Sequence, residues 1–146
     1  MQKLITTLIS NCPEDTIQFA KDLSNTISYG STIFMIGDLG SGKTTFTKGF
    51  AKGLGFCNEV QSPTYPILNE YSNSGNFIYH FDLYRLKNKK ECLNIGLFED
   101  DDVISIIEWP EKVHFKPKKR IEIYFKYFDN YNSRLLKIKF FGINEA

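Results

Sequence analysis

Gly37, Asp38, Leu39, Gly40, Ser41, Gly42, Lys43 and Thr44 form an uninterrupted match to G-x-x-x-x-G-K-[ST]. This octet constrains the chain more than any other feature, because its spacing encodes a phosphate-binding geometry. Glycines let the backbone turn tightly and bring successive N–H groups up to a phosphate. Lys43 is placed to reach the β- and γ-phosphates, and the Thr44 hydroxyl to ligate Mg²⁺. A helix that starts here points its positive end at the same anion. At average residue usage, a chain this long matches by accident on the order of 0.5% of the time.

The flanks agree with the motif. Thr32-Ile33-Phe34-Met35-Ile36 is a short β-branched and apolar run, as a buried strand requires. Phe46, Phe50 and Leu54 recur every four residues and mark the inner stripe of a helix. Strand, glycine-rich loop and helix is the arrangement in which such a motif binds phosphate rather than making a plain turn.

A length of 146 residues predicts one domain, residues 1–146, and 42% hydrophobic content allows a substantial core. The 13 Phe and 8 Tyr fall in alternating runs, which predicts that most are core or strand residues rather than a stacking surface. No apolar run approaches the length of a membrane span, and Met1–Thr7 lacks a secretory signal pattern. Cys12, Cys57 and Cys92 are far apart, form no C-x-x-C and read as small buried thiols of a cytoplasmic protein. The net charge of +1 is unevenly spread: residues 91–111 hold seven acids and no Lys or Arg. Residues 112–139 hold nine bases against Glu122 and Asp129, a basic C-terminal face able to meet a partner protein or RNA.

Periodicity predicts a strand over 1–9, a helix from Pro13 to about Ser28 ended by Gly30, and the phosphate-loop helix to about Leu54. Strands over 65–71 and 77–83 flank a hairpin signal at 72–76, and a short helix is expected over 88–95. Val103–Ile107 is a second buried strand, and 120–128 with 134–141 make a terminal hairpin.

A magnesium-bound phosphate site needs carboxylates, because Mg²⁺ prefers oxygen ligands. Glu108 closes the Val103–Ile107 run. Asp82 sits in His80-Phe81-Asp82-Leu83-Tyr84-Arg85, where alternation puts His80, Asp82 and Tyr84 on one face. Either acid is fit to hold the metal while the other orients an attacking water, and spacing does not assign the two roles. His80 itself reads as a packed or hydrogen-bonded strand residue, and Trp109-Pro110 as a packed strand end. Ser62-Pro63-Thr64-Tyr65 has the look of a switch loop. Arg134, at the start of the last strand, is a candidate contact to phosphate or base.

Together, Gly37–Thr45, Ser-Pro-Thr-Tyr at 62–65, His-Phe-Asp-Leu-Tyr-Arg-Leu at 80–86 and Ile-Glu-Trp-Pro-Glu at 107–111 resemble the bacterial TsaE (YjeE) family. These are small ATPases needed for threonylcarbamoyladenosine formation in tRNA. The resemblance spans nearly the whole chain, and the combined motifs are far more specific than any one alone. It implies an α/β P-loop NTPase fold with a mixed, largely central sheet flanked by helices and a C-terminal hairpin. It implies ATP at Gly37–Thr45, Mg²⁺ near Thr44 and Glu108, and a functional acid at Asp82. It further implies slow hydrolysis by the protein alone and action with TsaD and TsaB, as a switch rather than as the transferase. Direct tRNA contact stays open. The family often carries Ala at the position of Ser41, a small change expected to leave phosphate binding intact.

Three rival classes fit less of the chain. A small-molecule kinase needs an arginine-bearing lid, and Arg85, Arg120 and Arg134 lie in no such insertion. A GTPase needs a guanine-reading N-K-x-D, whereas Asn88-Lys89-Lys90-Glu91 ends in Glu. A nucleotide-binding interaction module without hydrolysis differs only in turnover.

Overall fold

The computed structural model describes residues 3–38, 40–57, 59–60, 68–85, 102–113, 116–128 and 130–142. Seven strands form one sheet: β1 (Lys3–Ser10), β2 (Thr32–Ile36), β3 (Leu68–Asn73), β4 (Asn76–Asp82), β5 (Val103–Glu108), β6 (Arg120–Phe128) and β7 (Asn130–Phe141). Their spatial order is β1-β7-β6-β2-β5-β4-β3. The four central strands β6, β2, β5 and β4 run parallel. Antiparallel partners close both sides, β7 and β1 beyond β6, and β3 beyond β4. Every residue of β5 is buried, as its unbroken apolar run requires.

Two helices, α1 (Pro13–Ser24) and α2 (Lys43–Gly53), pack together over one face of the sheet. Phe46 and Phe50 enter the main core with Ala20, Ile33, Met35, Ile123 and Leu136. Leu54, the third member of that stripe, packs at its margin. The helices meet closely because Gly49 has no side chain: a Cβ there would lie 2.5 Å from the Ile17 carbonyl oxygen. A smaller apolar cluster, Phe34, Phe81, Leu83, Ile107 and Val113, occupies the opposite face.

Several expectations shift in detail. α1 stops at Ser24, four residues short of the predicted end. Ser24 Oγ and Asn25 Nδ2 both donate to the Lys21 carbonyl, an alternative to continuing the helical ladder. Ile27 still reaches the core from the turn that follows. The β3–β4 hairpin is tighter than expected, with Asn73 opposite Asn76 around Ser74-Gly75, both at positive φ. β7 begins at Asn130 rather than 134, and a register shift at Tyr127/Phe128 absorbs the tight return. Cys12 is half-buried and Cys57 is exposed, so Cys57 departs from the buried-thiol expectation: it lies at the surface in the irregular segment after α2. Tyr84, Tyr127 and Phe128 are likewise exposed rather than core. Cys92, the 88–95 helix, the 62–65 segment and Asn88–Glu91 lie outside the described residues. Among the described residues, no helix is long and apolar enough to cross a membrane.

Candidate nucleotide site at the strand ends

The loop after β2 enters α2 at the carboxyl ends of the parallel strands. A doubly paired central strand has its crevice there. Gly42 caps α2 with φ 108°, a left-handed conformation that side chains other than glycine rarely adopt. The first turn of α2 carries no acid, so its positive end is left for an external anion. Lys43, Thr44 and Thr45 open the helix. Asp38 is exposed beside it, Gly37 and Gly40 belong to the loop, and Leu39 lies outside the described residues.

Lys43 is buried and folded back over its own loop. Its Nζ donates to the Gly37 carbonyl at 2.7 Å and lies 3.8 Å from Glu108 Oε1. The same ammonium sits 4.6 Å from the centre of the Trp109 ring. Trp109 holds φ 61°, ψ 54°, an uncommon backbone for a bulky residue, and its ring packs on Tyr84 at 4.9 Å.

Glu108 is 4% exposed at the end of β5. His80, fully buried on β4, donates from Nε2 to Glu108 Oε2 at 2.7 Å. Its Nδ1 lies 3.5 Å from the Tyr71 hydroxyl on β3. The predicted packed, hydrogen-bonded role of His80 is what the structure shows, and the interaction orients the acid.

Asp82 and Glu108 are direct neighbours in the parallel β4–β5 register. Burial pushes the Asp82 carboxyl above its usual range, and the charge of Glu108 adds to that. The Tyr84 amide, which donates to Asp82 Oδ1 at 3.0 Å, pulls the other way, as do Lys43 and His80. The fold thus brings Lys43, Asp82 and Glu108 into one electrostatic cluster.

Arg134 reaches the loop rather than open solvent. Its Nη2 donates to the Gly40 carbonyl at 3.2 Å, and the Tyr127 hydroxyl donates to the same oxygen at 3.1 Å. The guanidinium stacks on the Tyr127 ring at 4.1 Å. Beside this anchor, Cys12, Pro13, Thr16, Gly40, Thr45 and Arg134 line a cavity of about 140 Å³. Sequence reasoning missed Tyr127 and the β1–α1 turn as neighbours of the loop. Only the pairing of Tyr127 with Arg134 across the terminal hairpin reveals the first. Ser10, whose hydroxyl bonds both Thr16 and the Cys12 carbonyl, fixes the second.

Comparison with known proteins agrees with this geometry. The model of the family described as "Threonylcarbamoyl adenosine biosynthesis protein TsaE" matches residues 10–135. The tRNA threonylcarbamoyladenosine biosynthesis protein TsaE of Bacillus subtilis is 37% identical over 78% of this chain and 73% of its own length. The protein of the same name from Rickettsia bellii is 38% identical over 94% of this chain and 97% of its own length. A crystal structure of Bacillus subtilis YdiB superposes with a TM-score of 0.76 at 30% identity, covering 97% of this chain and 89% of that one. The mixed sheet with its glycine-rich loop at the head of α2 is therefore that of a P-loop NTPase fold, and the chain belongs to the TsaE family.

Proposed function

We propose that this chain binds Mg-ATP and hydrolyses it slowly, as the ATP-driven switch of threonylcarbamoyladenosine formation next to the tRNA anticodon. TsaD and TsaB are its partners, residues 1–146 act as a single ATPase unit, and the setting is the cytoplasm. The observation that carries this reading is the position of Lys43. A buried ammonium at a helix N-terminus, 3.8 Å from a strand-end carboxylate, is a triphosphate-binding device.

In this reading the loop amides from Gly37 to Thr45 cradle the phosphates. Lys43 leaves the Gly37 carbonyl for the β- and γ-phosphate oxygens. Arg134 and the adjoining cavity serve the nucleoside end, with Tyr127 and Arg134 together fixing the loop through Gly40. Thr44, Asp82 and Glu108 offer only hard oxygen donors, and two carboxylates in adjacent register favour a cation between them. These residues fit Mg²⁺, held directly or through water. The metal's chemistry is to neutralise charge developing on the phosphates. Glu108, oriented by His80, is suited to align the attacking water, and Asp82 to share the metal.

Slow turnover alone is part of this reading: among the described residues Lys43 is the cation held at the loop, and further stabilisation of the transition state is assigned to the partners. Single-turnover hydrolysis with and without TsaD–TsaB tests this. Partner addition should raise the rate at least 10-fold. Asp82→Ala and Glu108→Ala should retain binding of a non-hydrolysable analogue while losing turnover. Unchanged turnover in both variants contradicts the reading.

A further inference from the structure

The sheet has a second face, and at its β1–β7–β6 end no described helix covers it. Alternation sends Ile121, Ile123, Phe125, Leu136, Ile138 and Phe140 into the core. It sends Tyr124, Lys126, Leu135, Lys137 and Lys139 the other way, where they line a shallow groove of about 180 Å³. The register makes this a compact lattice. Tyr124 lies opposite Lys137, Glu122 opposite Lys139, and Lys126 opposite Leu135. Neighbouring strands are about 5 Å apart, and alternate residues along a strand about 7 Å.

The charge on this face has one sign. Among the described residues, no carboxylate pairs with Lys126, Lys137 or Lys139. Glu122 is the one acid that the described parts of β1, β6 and β7 point to this side. It is 4% exposed and already neutralised: Arg120 Nε donates to it at 2.7 Å, and the Tyr124 hydroxyl at 2.8 Å. That second bond pins the Tyr124 ring in the floor of the groove. Lys139 Nζ lies 4.8 Å from the ring centre, so cation and π-face are presented together. A fixed aromatic ring rimmed by unpaired lysines suits stacked bases and phosphates rather than an acidic peptide, which has no use for the ring.

We propose that this face binds RNA, with Lys126, Lys137 and Lys139 contacting phosphates and Tyr124 stacking on a base. It is distinct from the nucleotide site and does not depend on ATP hydrolysis. The test is fluorescence anisotropy with a labelled, unmodified tRNA transcript, in the absence of nucleotide and Mg²⁺, across a series of salt concentrations. Lys126→Gln/Lys137→Gln/Lys139→Gln should bind at least 10-fold more weakly. Its log–log salt slope should be shallower by about 2, since each lost phosphate contact removes about 0.7–0.9. Each single Lys→Gln change should shift the slope by just under one, which keeps the test decisive should the triple variant fold poorly. Tyr124→Leu should weaken binding about 5-fold or more with little change in slope. Affinity for an ATP analogue should be unchanged in all of them, separating failure here from failure of the ATPase reading. Three results overturn the proposal: no RNA binding by the unaltered chain at low salt, an unchanged slope in the lysine variants, or displacement of the RNA by polyglutamate at equal charge.

Discussion

His80 Nε2 lies 2.7 Å from Glu108 Oε2, joining a fully buried polar residue of β4 to the acid that closes β5. This bond fixes which way the carboxylate faces, leaving Oε1 toward Lys43. His80 is thus a positioning residue for Glu108. His80→Asn should lower single-turnover hydrolysis about 10-fold or more while analogue affinity changes less than about 3-fold, as when a residue supporting a ligand is removed. Parallel rapid-quench and calorimetric measurements check the split.

Trp109 is the sole tryptophan of the chain, and its ring faces the Lys43 ammonium at 4.6 Å. When a triphosphate draws that ammonium away, the indole loses a charged neighbour. Its emission should change on addition of an ATP analogue and stay constant on addition of adenosine. Titration of intrinsic fluorescence gives the result, with Lys43→Met as a control that should remove the response.

Ser41 Oγ is buried and makes no hydrogen bond among the described residues. A hydroxyl left unpaired in the interior costs about 1 kcal/mol or more. Ser41→Ala should therefore raise the melting temperature by about 3 °C and leave analogue affinity within about 2-fold. Differential scanning calorimetry is the measurement.

Burial alone pushes the Glu122 carboxyl up, but hydrogen bonds from Arg120 and Tyr124, with the Arg120 and Lys116 charges, outweigh it and hold it below its ordinary 4.5. A depressed carboxyl contributes stability above its unfolded value and loses it as pH falls through the folded one. Glu122→Gln should be less stable at neutral pH by about 2 kcal/mol, the scale of charge-assisted bonds. The gap from the unaltered chain should close as pH falls below 4.5. Denaturant melts at neutral pH and at about pH 3 test the sign. Burial, joined by the same carboxylate, raises the Tyr124 hydroxyl to about 12, so the phenol stays protonated throughout this range.

The parts of the site that sequence makes legible are the local ones. The octet from Gly37 to Thr44 specifies its turn and helix within a few residues, and the buried strands β2 and β5 are near-continuous apolar runs. Asp82 and Glu108 are visible as acids ending strands, but their adjacency depends on β4 and β5 being paired in that register. That is a tertiary fact without a local signature. The same holds for Arg134 and Tyr127, which meet at Gly40 only because the terminal hairpin lies beside β2. The early end of α1 reflects side-chain bonds to the Lys21 carbonyl, which a hydrophobic period extending to Ile27 hides. Exposure of Cys57 reflects its place in the irregular segment after α2, where Phe56 turns into the core and its neighbour faces outward.

The most direct test of the central claim is isothermal titration of the intact chain with a Mg²⁺-bound, non-hydrolysable ATP analogue. Saturable binding at one site per chain is expected, weakened about 10- to 100-fold or more in Lys43→Ala, in line with the loss of one or more charge-assisted hydrogen bonds. Absence of binding, or equal affinity in Lys43→Ala, contradicts the assignment of the loop between β2 and α2 as a triphosphate site.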